Sequence, residues 1–95
     1  MSTTGWRQDT KVIHGGGGLD ETTGATAQPI VQSTAFAYPS AEGLEAVFAG
    51  RDPGYVYSRI GNPTVGAFEA RIAALEDGLG ALAVSSGMAA ISSLA

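Results

Sequence analysis

Two short stretches hold the residues that could bind an anion. In the first, GYVYSRIGNPT (residues 54–64), Tyr57 and Arg59 stand two apart just ahead of a helix start. In an extended chain that spacing puts both side chains on one side, so a phenol hydroxyl and a guanidinium could converge on a single anion. The competing structural reading is a surface Arg beside a packed Tyr. The second stretch is SSGMAAI (residues 85–91), small residues followed by helix formers. There the N–H groups of Gly87 and Met88 would face outward at the positive end of a helix dipole, a place that favours a phosphate. Small residues at such a junction also serve tight packing, so this signal alone does not decide between the two.

The elements that must position these residues are legible in the second half of the chain. Asn62 suits an N-cap, and Pro63 suits the first helical position because its missing N–H has no partner there anyway. Val65, Phe68, Ile72 and Leu75 recur at helical spacing, which predicts a helix from Pro63 to about Asp77, with Gly78 as the left-handed residue that closes it. The apolar run ALAV (residues 81–84) reads as a strand buried on both faces, and the helix led by SSG follows. Helix, buried strand, Gly turn and helix together indicate the opening of an α/β layered domain with a parallel or mixed sheet.

Before Gly61 the pattern is looser. HGGGG, Pro29, Pro39 and RDPG punctuate it, and it reads as an extended arm (residues 1–60) carrying one short helix, ahead of the domain that starts at residue 61. That helix starts after Pro39 with Ser40 as its cap, places Leu44, Val47 and Phe48 on one face and ends at Gly50. Residues 29–38 favour extended structure without strict alternation.

Composition narrows the function classes. Of 95 residues, 44% are hydrophobic and 15% charged, a globular profile, and the net charge of −4 with no basic cluster argues against nucleic acid or an anionic membrane as partner. There is no Cys, which removes disulfides and thiolate metal sites. No apolar run is long enough for an export signal or a membrane span, so the cytoplasm is the expected location. His14 is the only histidine and has no second ligand nearby, so no metal site is expected. Asp20, Glu21, Glu76 and Asp77 read as solvated charges, Trp6 as a packing anchor or as part of a disordered start, and Phe36, Phe48 and Phe68 as core or interface residues. The closing MAAISSLA carries no helix stop signal, so the chain reads as a piece of a longer protein, one whose apolar helix face needs a partner from elsewhere.

In order and separation, TGATAQPIVQSTAF, YSRIGNPT, ALEDG and SSGMAAI resemble the pyridoxal-phosphate (PLP) enzymes of cysteine and methionine metabolism, the group of cystathionine synthases and lyases, methionine γ-lyase and O-acetylhomoserine sulfhydrylases. The resemblance runs from about Thr10 onward. It implies the N-terminal part of a fold type I, aspartate-aminotransferase-like enzyme, an extended arm plus the start of the large domain. It also implies that Gly87 and Met88 donate backbone N–H groups to the cofactor phosphate. Tyr57 and Arg59, by the same resemblance, reach the phosphate of a neighbouring subunit's cofactor, so that a homo-oligomer, a dimer or tetramer, shares its sites. The family's cofactor-binding lysine finds no match, because the only lysine here is Lys11, in the arm.

The implied reaction takes an amino acid with a leaving group at the γ carbon. Within the family the motifs look most like O-acetylhomoserine sulfhydrylases, which make homocysteine from an activated homoserine and sulfide, with methionine γ-lyase and cystathionine γ-synthase as near alternatives. A small module that binds a phosphorylated ligand through SSGMAA without catalysis, or a chain whose Tyr57 and Arg59 merely seal an interface, is the reading from a different class.

Overall fold

The structure is a computed structural model that describes residues 4–18 and 20–95. Its elements are four helices, α1 (Gln8–His14), α2 (Ala41–Phe48), α3 (Pro63–Leu75) and α4 (Gly87–Leu94). They belong to two compact units, Pro29–Gly66 and the residues up to Gln28 together with Ala67–Ala95.

Helix ends follow the caps written in the chain. Ser40 Oγ accepts the Gly43 N–H at 3.1 Å and starts α2. At its end Gly50 takes φ +77°, while the N–H groups of Gly50 and Arg51 donate back to Val47 and Ala46, the paired bonds of a Schellman motif. Asn62 Oδ1 caps α3 by accepting the Thr64 N–H at 2.8 Å. α3 closes in the same way as α2, with Gly78 N–H donating to Ala73 O at 2.8 Å, but the left-handed residue is Asp77 (φ 53°) and not the expected Gly78. Asp tolerates this backbone region better than most side chains, and its carboxylate has a partner there: Lys11 Nζ lies 3.0 Å from Asp77 Oδ1. Asp77 is therefore paired rather than simply solvated.

The expected arm with one helix contains two. The segment of α1 sends no local signal: Arg7 stands at its N-cap without a side-chain bond, and seven residues are too few to be stable alone. Contacts distant in sequence hold it. Lys11, only 8% exposed, reaches Asp77, and Gln8 Nε2 donates to Leu75 O. Arg71 donates through Nε to Gly15 O and through Nη1 to Val12 O, both at 3.0 Å, satisfying carbonyls that the end of α1 leaves open. Gly15 and Gly16 make this approach possible, since a Cβ on either would lie 2.5 Å from backbone atoms of Lys11 or Ala70.

The strand expected at residues 81–84 is corrected. The segment makes no ladder, and the isolated antiparallel bridge Ala35↔Tyr57 is the β pairing among the described residues. A strand needs a neighbour for its backbone groups, and none of the described residues lies alongside. Instead the Ala83 N–H donates to the Glu69 carboxylate at 2.7 Å, and Leu82 remains 72% exposed. The α/β sheet is thus absent from the described residues, whose regular elements are helices.

No apolar side chain is fully buried among the described residues; Phe48 and Phe68 are exposed, and Phe36 is half-buried against Tyr55 at a ring separation of 5.8 Å. Apolar burial is the main term favouring folding. The isolated 95-residue chain is therefore expected to show no cooperative thermal transition by circular dichroism, and a sharp two-state melt as a monomer would overturn this.

Asp20 is the solvated loop charge expected, with local partners added. Its carboxylate accepts from Thr23 Oγ1 at 2.6 Å and from the Thr23 N–H at 2.9 Å, and these bonds hold its pKa below the ordinary 3.8. A depressed folded-state pKa stabilises the turn above the unfolded value and is lost as pH falls through the folded one. Thr23→Val removes the hydroxyl and is expected to move the Asp20 titration, followed by NMR, upward toward 3.8.

Candidate functional site

Tyr57 is positioned by the bridge to Ala35, where the Phe36 N–H donates to Val56 O at 3.0 Å and the Ser58 N–H to Thr34 O at 2.7 Å. The chain then turns: the N–H groups of Ile60 and Gly61 both donate to Tyr57 O. Tyr57 and Arg59 therefore do not share a side of an extended strand, as their spacing suggests. The turn brings them together by another route, laying the Arg59 guanidinium 5.4 Å from the centre of the Tyr57 ring. A cation over an aromatic face is attracted by its quadrupole while its N–H edge stays available.

Among the described residues no carboxylate pairs with Arg59, nor with Arg7 at the start of α1, whereas Lys11 is matched by Asp77, Arg51 by Glu45, and Arg71 by carbonyls of the α1 end. Arg59 is exposed and Tyr57 is 37% exposed, so the pair is open to an anion from outside.

Asn62 sits behind this turn and is 7% exposed. Its Nδ2 donates to Ser58 Oγ at 3.1 Å and to Val31 O at 3.2 Å, with a longer approach to Ser33 O at 3.5 Å. Ser58 Oγ in turn donates to Ser33 O. The GNPT motif signals a helix cap, and sequence reasoning assigns Asn62 no more than that. Its side-chain amide, a donor as well as an acceptor, was the available hint of further partners.

At residues 86–88 the structure builds the expected helix start. Ser86 is extended (φ −156°, ψ 160°), its Oγ accepts the Ala89 N–H at 3.1 Å and its carbonyl accepts the Ala90 N–H at 3.2 Å. That leaves the amides of Gly87 and Met88, the first two of the helix, without intrahelical acceptors. A Cβ on Gly87 would meet nothing within 4 Å, and the first turn carries no acidic residue to occupy the positive end of the helix. Arg59 belongs to the Pro29–Gly66 unit and the Gly87–Met88 amides to the other.

A helix start with two outward amides, and an unmatched guanidinium braced on a phenol ring, are parts suited to a protein that holds a phosphorylated ligand. Backbone N–H groups, a guanidinium and a phenol hydroxyl are each donors of the kind that a dianionic phosphate such as that of PLP accepts. Comparison with known proteins supplies the class. Residues 9–95 match the family described as Cys/Met metabolism PLP-dependent enzyme, and the chain belongs to that family. It is 53% identical over 85 residues to the O-acetyl-L-homoserine sulfhydrylase of Corynebacterium glutamicum, covering 90% of this chain and 20% of that protein. It is 45% identical over 84 residues to the L-methionine gamma-lyase of Pseudomonas putida, covering 88% and 21% respectively. Among solved structures, cystathionine gamma-lyase from Lactobacillus plantarum complexed with L-serine aligns with a TM-score of 0.73 at 41% identity, over 93% of this chain and 21% of that one. The chain thus spans about a fifth of the length of the relatives it matches. The family is PLP-dependent, and its members named here act in sulfur amino acid metabolism.

The one lysine of these residues, Lys11, is held in its ion pair with Asp77, away from solvent. Among the described residues no helix is long and apolar enough to cross a membrane.

Proposed function

We propose that this chain is the cofactor-phosphate-anchoring segment of a cytoplasmic PLP-dependent enzyme that replaces the acetyl-activated γ-oxygen of O-acetylhomoserine with sulfide, giving homocysteine and acetate. The observation that carries the phosphate role is Arg59, a cation with no acidic partner among the described residues, seated on the Tyr57 ring. The likeness to the Corynebacterium protein supports the choice of reaction.

In this reading Gly87 and Met88 bind the phosphate through backbone N–H groups at the start of α4, and Tyr57 and Arg59 bind the phosphate of a neighbouring subunit's cofactor in a homo-oligomer. When bound, PLP supplies an electron sink that lets the amino acid substrate lose protons beside the reacting carbons. The residues of this chain hold that group in place. The amides of Gly87 and Met88 and the guanidinium of a neighbouring subunit's Arg59 would share the phosphate's charge, so neither set alone would have to balance it.

The test uses the enzyme that contains this segment, loaded with PLP. Supplied with O-acetyl-L-homoserine and sulfide, it is expected to form homocysteine faster than it releases methanethiol from L-methionine. The second reading, methionine γ-lyase, is favoured by the likeness to the Pseudomonas protein and predicts the reverse order. Cystathionine γ-synthase predicts that cysteine replaces sulfide as the preferred nucleophile. A non-catalytic phosphate-binding module predicts no turnover of any of these. Mixing Arg59→Ala subunits with subunits that lack the cofactor-binding lysine should restore part of the activity if the site is shared between chains.

A further inference from the structure

We infer that Asn62 is a positioning residue which, acting through the Ser58 hydroxyl, fixes the orientation of the Tyr57 and Arg59 pair toward the cofactor phosphate. The inference rests on the proposed phosphate role of that pair and goes beyond it by naming what holds the pair in place.

The bridge to Ala35 fixes the backbone of Tyr57, and its last bond is the one from the Ser58 N–H to Thr34 O. Arg59 lies past that bond, in a turn whose other backbone bonds, from Ile60 and Gly61 to Tyr57 O, are internal to it. The side-chain tie between this turn and the rest of its unit is Ser58 Oγ, which donates to Ser33 O and accepts from Asn62 Nδ2 at 3.1 Å.

A residue needed only to start α3 would use its oxygen alone, and Ser, Thr or Asp would serve as well. Asn62 uses both ends. Oδ1 accepts the Thr64 N–H, while every acceptor of Nδ2, at Ser58, Val31 and Ser33, lies outside the helix. Thr64 adds a parallel tie, its Oγ1 accepting the Val31 N–H at 2.8 Å. Few short side chains carry a donor and an acceptor on one carbon, and this one is 7% exposed. The helix start, the strand-like segment 31–33 and the turn bearing Arg59 are thereby locked to one amide group. Preorganising an exposed guanidinium reduces the ordering cost of binding a phosphate.

The experiment compares variants of the PLP enzyme containing this segment, by titrating each apoenzyme with PLP and with pyridoxal, which lacks the phosphate. Asn62→Asp keeps the helix-capping oxygen and removes the donor; Ser58→Ala removes only the tie. Each is expected to raise the Kd for PLP about tenfold, the cost of ordering a guanidinium that is no longer held in place, with little change for pyridoxal. Ser58→Thr, which keeps the hydroxyl, should retain the affinity. In an Arg59→Ala background the same substitutions should change PLP affinity less than about twofold, since the group they position is gone. If Asn62→Asp fails to fold, Ser58→Ala decides. Unchanged PLP affinity in Ser58→Ala, or an equal loss with and without Arg59, overturns the inference while leaving the phosphate role of Arg59 standing. Unchanged affinity in Arg59→Ala itself overturns both.

Discussion

Arg59→Ala is expected to raise the Kd for PLP about a hundredfold in the enzyme that carries this segment, with the affinity for pyridoxal nearly unaltered. A hydrogen bond to a charged group contributes about 1.5–3 kcal/mol net, and the removed guanidinium can make a forked pair to two phosphate oxygens. About 2.7 kcal/mol corresponds to a hundredfold change. The guanidinium has no competing carboxylate among the described residues and is already seated 5.4 Å from the Tyr57 ring centre, so little of the gain is spent on breaking an existing ion pair. Arg59→Lys keeps the charge and loses the fork and the planar stacking, and is expected to recover only part of the affinity. Tyr57→Phe keeps the ring beneath the guanidinium and loses the hydroxyl, so its effect should be smaller than that of Arg59→Ala. Apoenzyme titration followed by absorbance reads all three. Arg59→Ala with native PLP affinity would remove this residue from the phosphate site.

The largest stability effect is expected at Gly16. It adopts φ +69°, and a Cβ there would sit 2.5 Å from Ala70 C and O and 2.8 Å from Arg71 N. The left-handed backbone costs a side chain about 1–2 kcal/mol, and overlap with helix backbone adds about 1–3 kcal/mol, because α3 cannot yield as a flexible side chain would. Gly16→Ala is therefore expected to destabilise the enzyme by about 3 kcal/mol. Gly24 provides the contrast. It has a similar φ of +75° but nothing within 4 Å of an added Cβ, so Gly24→Ala should cost only about 1 kcal/mol. Denaturant unfolding of the two variants measures the difference. Equal losses would mean that the close approach to α3 does not matter.

Features set by residues two to five apart are the legible ones. Ser40 starting α2, Gly50 ending it, and Asn62 and Pro63 opening α3 each depend on groups within about a turn of one another. The division of labour between Asp77 and Gly78 was misread, because the gain that favours Asp77 in the left-handed position comes from Lys11, sixty-six positions earlier. For the same reason α1 escaped notice. Its seven residues carry no side-chain cap bond, and the bonds from Arg71 and Gln8 that support it have no counterpart in local periodicity. The apolar run at 81–84 shows the opposite error, in which composition suggested a buried strand but pairing requires a neighbour that local sequence does not reveal.

By itself the sequence determined the start and end of α2, the start of α3, the absence of cysteine chemistry and the order of motifs that places the chain in a PLP-dependent family. Only the tertiary structure decided that Arg59 meets Tyr57 across a turn, that Asn62 ties that turn to segment 31–33, and that Lys11 is committed to Asp77. Caps and motifs are written by neighbours in sequence, whereas the direction of a guanidinium is set by hydrogen bonds to residues dozens of positions away, whose proximity exists only once the chain has folded.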